Sequence, residues 1–370
     1  MAATTGRRAI VVGAGIGGLT AAVALRRRGW DVTVLERAAT LEPVGAGLGL
    51  APNALHALDA IGLGDEVRRF SAVQGQGGLR RPGGRWLVRT DLGAVAVRFG
   101  DPQLMALRAD LVGLLAASLP DGVLRTGVTV TSLDELDADL VVAADGIGSR
   151  LRAALFPDHP GPRYSGFTAW RFVAPAPPRG ASPVQPAETW GRGAIFGAFP
   201  LADGRVYCYA SAAAPPCVRP GDETAELKRR FGRWHDPVPG LIGSVSLDHV
   251  LHDDVYWIAE PLPAYHRGRV ALLGDAAHAM TPHMGQGACQ AIEDAVVLAS
   301  EAPDLATYTA ARMRRTRMVA DASYRASRLT GITSRPAVAL RNTGVWLAGR
   351  LAPGLMIRQL DPIAAWTPPR

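Results

Sequence analysis

The spacing of apolar positions changes character along the chain, and those changes divide it. Ala9–Val12 is a short apolar run ending in the glycine-rich stretch GAGIGG. Leu19–Arg28 then carries apolar residues at helical spacing, Gly29 breaks it, and Asp31–Leu35 is a second strand-like run. Strand, glycine turn, helix and strand within about 30 residues make a βαβ unit. A further helix is predicted over Asn53–Ile61, closed by Gly62, and helical periodicity returns at Asp101–Leu119. Between them Gly75–Gly100 is rich in Gly and Arg, with RPGG parting two strand-like runs as a hairpin turn does.

Leu140–Ala144 is an apolar strand ending at Asp145-Gly146. From Pro160 to about Ile258 the pattern becomes period-two alternation, clearest in YSGFTAWRFV, AIFGAF and RVYCYASA. Pro- and Gly-rich turns separate these runs, as in an antiparallel sheet. Arg269–Leu273 is a buried strand again and leads through GDAAHAM to a long helix at Gly287–Ala299. Pro303–Arg370 reads as helical and ends in WTPP.

A chain of 370 residues, 48% hydrophobic and 20% charged, has room for one large nucleotide-binding domain and a smaller interleaved one. The net charge of +7 is carried almost wholly by Arg, Lys228 being the only Lys, and is scattered. The densest run, Arg312, Arg314, Arg315 and Arg317, has helical spacing and reads as a solvated helix face. No basic patch with interleaved aromatics suggests nucleic acid. Cys208, Cys217 and Cys289 form no CxxC pair, which suits a reducing cytoplasm. MAATTGRR lacks the apolar core of a signal peptide, and no apolar stretch is long enough for a membrane span. A cytoplasmic location, as monomer or homodimer, is the expectation.

The candidate chemistry begins at Gly13-x-Gly15-x-x-Gly18. The first Gly permits the tight turn, the second lets backbone approach a pyrophosphate, and the third allows close helix–strand packing. The phosphates then meet the free N–H groups at a helix N-terminus. Glu36 closes the second strand at the offset expected for ribose hydroxyls and disfavours a 2′-phosphate, so the ligand is FAD or NAD rather than NADP. Two further segments separate those options. One is DLVVAADGIGSRLR; the other is GRVALLGDAAHAMTPHMGQGACQAIEDA.

Together these segments resemble the three sequence motifs of the para-hydroxybenzoate hydroxylase-like (group A) flavoprotein monooxygenases, and most of all their salicylate and FAD-dependent urate hydroxylase branch. The likeness covers essentially the whole chain, including GAGLGLAPNALHALDAIGLG near the start and WTPP at the end. It implies an α/β protein with a Rossmann-like (GR2-type) FAD-binding domain over 1–74, 101–159 and 259–320. An interleaved antiparallel β-sheet substrate domain would take 75–100 and 160–258, and C-terminal helices 321–370.

The resemblance implies bound FAD, held by Gly13, Gly15, Gly17, Gly18, Glu36, Arg37, Gly49, Arg108, Val130, Asp145, Gly146, Gly274, Asp275, Pro282, Gly285, Gln286, Gly287 and Ala288. Asp275 follows a buried strand, where a carboxylate can accept from ribityl hydroxyls. The turn Gly285-Gln286-Gly287-Ala288 opens a helix whose N-terminus carries roughly half a positive charge, suited to the anionic reduced flavin. There is no second GxGxxG, so NADH or NADPH would visit transiently. The implied reaction is reduction of FAD, formation of a C4a-hydroperoxide with O2, and oxygen transfer to an electron-rich aromatic or alkene.

On the substrate side, alternation puts Trp170 and Phe172 on one face of a strand and Phe167 and Arg171 on the other. Trp170, Arg171, Trp190, Phe196 and Tyr209 are the expected substrate-lining residues, and Tyr207 the candidate for orienting or deprotonating a substrate hydroxyl. Urate hydroxylases of the branch carry a Tyr after a Gly-Arg-x turn and an Arg twelve residues earlier. Here Gly204-Arg205-Val206-Tyr207 keeps the Tyr, but Ile195 stands at the Arg position. That departure argues against urate or another anionic substrate. His283 occupies a position that often holds Asn in relatives, which would alter the flavin environment. No His or Cys spacing forms a metal site, and no GxSxG elbow supports a hydrolase. The rivals are a flavin halogenase (though WxWxIP is absent), a flavin reductase or oxidase, and a non-enzymatic flavin binder.

Overall fold

The computed structural model describes residues 6–41, 46–178, 180, 182–219, 221–351, 354, 358 and 360–369. The first five residues, Gly45 of the GAGLGL run and part of the expected C-terminal helical stretch lie outside the described residues. The core of the larger layer is a sheet whose central strand is β1 (Arg8–Val12), with β2 (Asp31–Leu35) parallel on one side. On the other side β9 (Leu140–Ala143) is also parallel, followed by β16 (Val270–Leu272). Two short edge strands, β8 (Leu124–Arg125) and the antiparallel β15 (His266–Arg267), complete the order β15-β16-β9-β1-β2-β8. All four residues of LVVA in β9 are buried, the continuous apolar pattern of a parallel strand covered on both faces. Helices α1 (Ile16–Arg27), α2 (Pro52–Ala60), α5 (Arg108–Ala117) and α10 (Gly287–Glu301) pack around it. The βαβ unit, the helix ending near Gly62 and the long helix from Gly287 all form as the periodicity predicts.

Helical periodicity misleads at 101–119. Leu104–Leu107 is strand β7, paired with β3 (Gly47–Leu50) and β4 (Ala72–Val73), and the helix α5 begins only at Arg108. A short fully buried apolar run looks the same at either period. Similarly, the run after β6 (Trp86–Asp91) ends in helix α4 (Gly93–Phe99).

The second large sheet has the order β14-β10-β13-β12-β11-β5-β6. Its strands are β5 (Gln76–Arg80), β6 (Trp86–Asp91), β10 (Arg163–Ala174), β11 (Ala187–Trp190), β12 (Ala194–Pro200), β13 (Val206–Ala213) and β14 (Leu251–Trp257). The RPGG hairpin between β5 and β6 is present, and β5 joins β11 in the only parallel pairing of this sheet among the described residues. One face packs on α7 (Glu223–Phe231) and α8 (Val238–Gly243). The other turns towards β3 and β7. The C-terminal part adds α11 (Leu305–Thr330) and α12 (Arg335–Leu351), the latter against β6. No helix among the described residues is long and apolar enough to cross a membrane.

The arginine run on α11 is a solvated face only in part: Arg314 is exposed and Arg317 half-exposed, but Arg312 and Arg315 turn inward. Arg312 is 1% exposed, with Nε donating to Asp294 Oδ1 at 2.6 Å and Nη1 to Glu293 Oε2 at 2.7 Å. Arg315 also donates to Glu293. Both carboxylates are fully buried, so the guanidinium compensates charge inside the core.

Candidate active site

The glycine fingerprint closes the turn between β1 and α1 by steric necessity. Gly13 has φ of +106°, and a Cβ there would sit 2.4 Å from the Ala144 carbonyl oxygen. A Cβ on Gly18 would lie 2.0 Å from the Gly13 oxygen, and one on Gly17 would meet Leu273 and Ala291. Gly15 differs, since no protein atom lies within 4 Å of its absent Cβ. It is the N-cap of α1, whose first turn holds no side-chain cap and no acidic residue. Its leading N–H groups and positive dipole end therefore face open space. Glu36 stands beside the turn, accepting from Ala14 N at 2.7 Å and Ala38 N at 2.9 Å, with lone pairs to spare for hydroxyls. This donor set fits a dinucleotide pyrophosphate and ribose. Arg37 is exposed next to it, and Val130 lies in the segment that Val128 N pins to the Glu36 carbonyl at 2.8 Å.

Asp145 serves the following helix start: Oδ1 accepts from Ser149 at 2.5 Å and Oδ2 from Arg150 N at 3.0 Å, after Gly146 at φ +80°. Helix α9 (Asp275–His278) begins at Gly274, whose N–H donates to Asp294 Oδ2 at 3.0 Å. His278 bonds to the same carboxylate, so it belongs to the buried network, which reaches Asn53, Gln286 and Gln290 through Glu293. Burial would raise the Asp294 pKa, but His278 and Arg312 outweigh it and hold it at about 2. The network fixes the turn Pro282–Gly287 at the start of α10, a second helix with neither a side-chain cap nor an acidic first turn. Ala288 follows in that turn, and Gly49 accepts from Cys289 Sγ at 3.5 Å across from it.

Five titratable groups lie between the glycine turns and the sheet. Arg108, Glu188, Tyr209, Asp275 and His283 are each desolvated enough to shift their pKa, yet each keeps surface that solvent reaches. Arg108 stands within charge range of both Asp275 and Arg171, and Phe167 of the sheet meets His283, so the glycine-turn side and the sheet face one another across a crevice. Burial lowers Arg108, with Arg171 adding and Asp275 opposing; burial raises Asp275 against His278 and Arg108. Burial alone pushes His283 down to about 4, and both its ring nitrogens lack a partner among the described residues. Its ring meets Phe167 edge-on at 5.3 Å.

The sheet face towards this crevice follows from register. Phe167, Ala169, Arg171 and Val173 of β10 oppose Ala213, Ser211, Tyr209 and Tyr207 of β13. Across β13, Gly197 and Ile195 of β12 stand opposite Tyr209 and Ser211, and across β12 lie Glu188 and Trp190. Arg171, Trp190 and Tyr209 therefore share the crevice face. Arg171 pairs with Asp253, and Arg341 of α12 sits 5.4 Å over the Trp190 ring.

Trp170 and Phe196, expected on the substrate side, face the other way. They are 1% exposed, packed with Phe172, Phe231 and Leu241 beneath α7 and α8, and the Trp170 indole donates to Glu223 at 2.7 Å. Alternation gives parity along a strand but not which parity meets the cofactor side. A concavity of about 390 Å³ also lies on that far face, among Arg80, Val184, Phe196 and His235. Tyr207 is on the crevice face but packs against Gly47, whose missing Cβ would lie 2.2 Å from its ring. Burial pushes its phenol up to about 12 against the pull of Arg171, which opposes service as a base near neutral pH.

The FAD binding domain model matches residues 7–98 and 89–323. The chain is 37% identical over 343 residues to Aurachin C monooxygenase/isomerase of Stigmatella aurantiaca, covering 87% of this chain and 89% of that protein. It is 34% identical over 317 residues to the FAD-dependent urate hydroxylase of Klebsiella pneumoniae, covering 79% and 80%. The chain belongs to the FAD-binding group A flavoprotein monooxygenases. The structure of Klebsiella pneumoniae HpxO complexed with FAD and uric acid superposes with a TM-score of 0.87 at 28% identity, covering 96% of this chain and 97% of that one. As an FAD-dependent hydroxylase, the protein carries two features that sequence reasoning missed, Glu188 and the Arg312 network, and an aromatic wall it named only in part. A Glu in AETW has no spacing that marks it, yet Glu188 reaches the crevice. Phe167 and Phe199 wall it, Phe199 stacking on Tyr209 at 5.9 Å. The Arg312 network beneath it looked like surface.

Proposed function

We propose that the protein is a single-component hydroxylase using NADH or NADPH and O2 to place one oxygen atom on a flat, electron-rich aromatic substrate. The balance is aromatic C–H, O2, NAD(P)H and a proton going to aromatic C–OH, water and NAD(P)+; an alkene would be epoxidised. FAD, when bound, supplies the electron transfer and oxygen activation. The N–H groups opened at Gly15 would hold the pyrophosphate, with Gly13, Gly17 and Gly18 shaping the turn and Glu36 taking ribose hydroxyls. Arg37, Gly49 and Val130 flank them. Arg108 and Asp275 would take the ribityl chain and phosphates. The turn Pro282–Gly287 would bring Gly285, Gln286, Gly287 and Ala288 to the flavin pyrimidine edge, where the α10 dipole favours negative charge. Asp145, Gly146 and Gly274 would hold the backbone that frames it. We assign the FAD-binding unit to 1–74, 101–159 and 259–320, the substrate-bearing sheet to 75–100 and 160–258, and the closing helices to 321–370.

The observation carrying this reading is that Arg108, beside Asp275 on the glycine-turn side, stands within charge range of Arg171 on the sheet, where His283 meets Phe167 and Tyr209 bonds to Glu188. The aromatic walls Phe167, Tyr209 and Trp190 suit a planar ligand and exclude water from it. Tyr207 acts as packing beneath that wall rather than as the base. The test is stopped-flow absorbance of the anaerobically reduced protein mixed with O2. A transient species between reduced and oxidised flavin, longer-lived with a suitable aromatic present, is expected. Single-step reoxidation with all O2 recovered as hydrogen peroxide, whatever aromatic is added, would mark a reductase or oxidase instead.

A further inference from the structure

The crevice wall contains a carboxylate that needs a function. Glu188 accepts hydrogen bonds on both oxygens, from Tyr209 Oη and from Trp190 Nε1. Tyr209 stands two strands away, and its ring crosses the intervening strand at Gly197, where a Cβ would sit 2.4 Å from Cε1 and Cζ. Each donor fills one acceptor position per oxygen, leaving the others for a further donor. The remaining polar side chain at the opposite border, His283, has both ring nitrogens unpartnered and no charge near neutral pH. The cation on the same face, Arg171, is already matched to Asp253, and Ile195 is apolar. Arg341, over the Trp190 ring, is held by the Leu329 and Gly191 carbonyls and the Asn342 amide oxygen, so the group on this face with acceptor positions still open is the Glu188 carboxyl.

We infer that Glu188 sets the substrate class of the site, accepting a hydrogen bond from an N–H or O–H of an uncharged aromatic ring system and rejecting aromatic carboxylates. The inference rests on the hydroxylase reading for the site's location. Specificity of this kind comes as much from the unfavourable placement of like charges as from the favourable bond, and a bond-accepting site also disfavours an analogue lacking the donor.

The test is equilibrium titration of the FAD-loaded protein, followed by perturbation of the flavin absorbance. The probes are 2-naphthol against 2-naphthoate, and indole against benzofuran. The wild type is expected to bind each donor probe about tenfold or more tightly than its counterpart. Glu188→Gln should narrow the naphthol-to-naphthoate ratio chiefly by gaining naphthoate affinity, with flavin content and thermal midpoint unchanged. Glu188→Ala should also erase the indole preference. An unchanged ratio in Glu188→Gln, a wild-type preference for naphthoate, or no binding of either donor probe at millimolar concentration would overturn it. The titration needs no turnover, so loss of selectivity is distinguishable from failure of the oxygen reaction.

Discussion

Tyr209 donates its phenolic hydrogen to Glu188 across a strand that carries no side chain at the crossing point, Gly197. Three adjacent strands thus supply one arrangement: a ring, a gap and an acceptor. Gly197→Ala inserts a methyl 2.4 Å from two ring atoms and must displace Tyr209. Overpacking of that kind costs about 1–3 kcal/mol. A lower thermal midpoint together with weaker binding of 2-naphthol is expected. An alanine variant that keeps both would mean the ring moves freely and the crossing is incidental.

Gly13 and Gly15 should separate folding from flavin binding. Alanine at Gly13 collides with the Ala144 carbonyl and is held at a positive φ, so both stability and flavin content should drop. Alanine at Gly15 meets no protein atom within 4 Å, so its folding should be unaffected. A methyl there instead obstructs a phosphate approaching the backbone, and FAD affinity should fall about tenfold or more. Thermal melts of the flavin-free variants and FAD fluorescence titrations check both halves.

What the sequence makes legible here follows from how local each signal is. The glycine turn is written in consecutive residues, because each glycine answers to a neighbour in the same βαβ unit. The alternation in β10 is also local, and it correctly groups Trp170 with Phe172 and Phe167 with Arg171. The sign of the face is not local. Trp170 lies beneath α7 because the sheet meets the FAD-binding layer through Gly47 and Met105, contacts distant in sequence. Arg312 is hidden for the same reason. Its acids, Glu293 and Asp294, sit on another helix, and helical spacing alone cannot distinguish a buried ion network from a wet face.

The neutral imidazole at His283 should leave a trace in the pH dependence of stability. Its folded pKa is lowered to about 4 by burial, against about 6.5 unfolded. Between those values the unfolded chain binds the extra proton, so stability rises with pH and levels off above the unfolded value. The contribution is roughly 3 kcal/mol across the window. Urea midpoints from pH 4.5 to 7.5 should show a shallower slope in His283→Phe than in the wild type. Equal slopes would mean the ring takes up its proton in the folded protein as readily as in the unfolded chain.

Tyr207→Phe tests whether the phenol has any chemical part. With the hydroxyl held neutral by burial, removing it should change kcat by less than about threefold. The pH profile of kcat/KM should keep its shape. A large loss of kcat, or a missing limb in that profile, would restore Tyr207 as a proton-transfer group.

Arg312→Met keeps the length of the side chain but leaves Glu293 and Asp294 without their main counter-charge. Both carboxylates are 0% exposed and Arg312 1%, so neither can recover hydration. Removing one partner of such a set typically costs about 3–5 kcal/mol, more than the intact pair contributes. His278 still bonds to Asp294 and Arg315 to Glu293, which argues for the lower end of that range. The loss should depend on pH in a definite direction. In the wild type Asp294 is depressed to about 2, so its contribution is complete above the unfolded carboxylate range and fades only as pH falls towards that value. In the variant the acids are raised instead, because burial is no longer outweighed. Protonation then relieves them, and the stability gap should narrow between pH 7.5 and 5.5. Because Asp294 also anchors Gly274 N–H, the variant should bind FAD more weakly at pH 7.5 and recover part of that affinity at pH 5.5. A gap that widens on acidification would mean the carboxylates stay ionised without Arg312, and that His278 and Arg315 suffice to hold them.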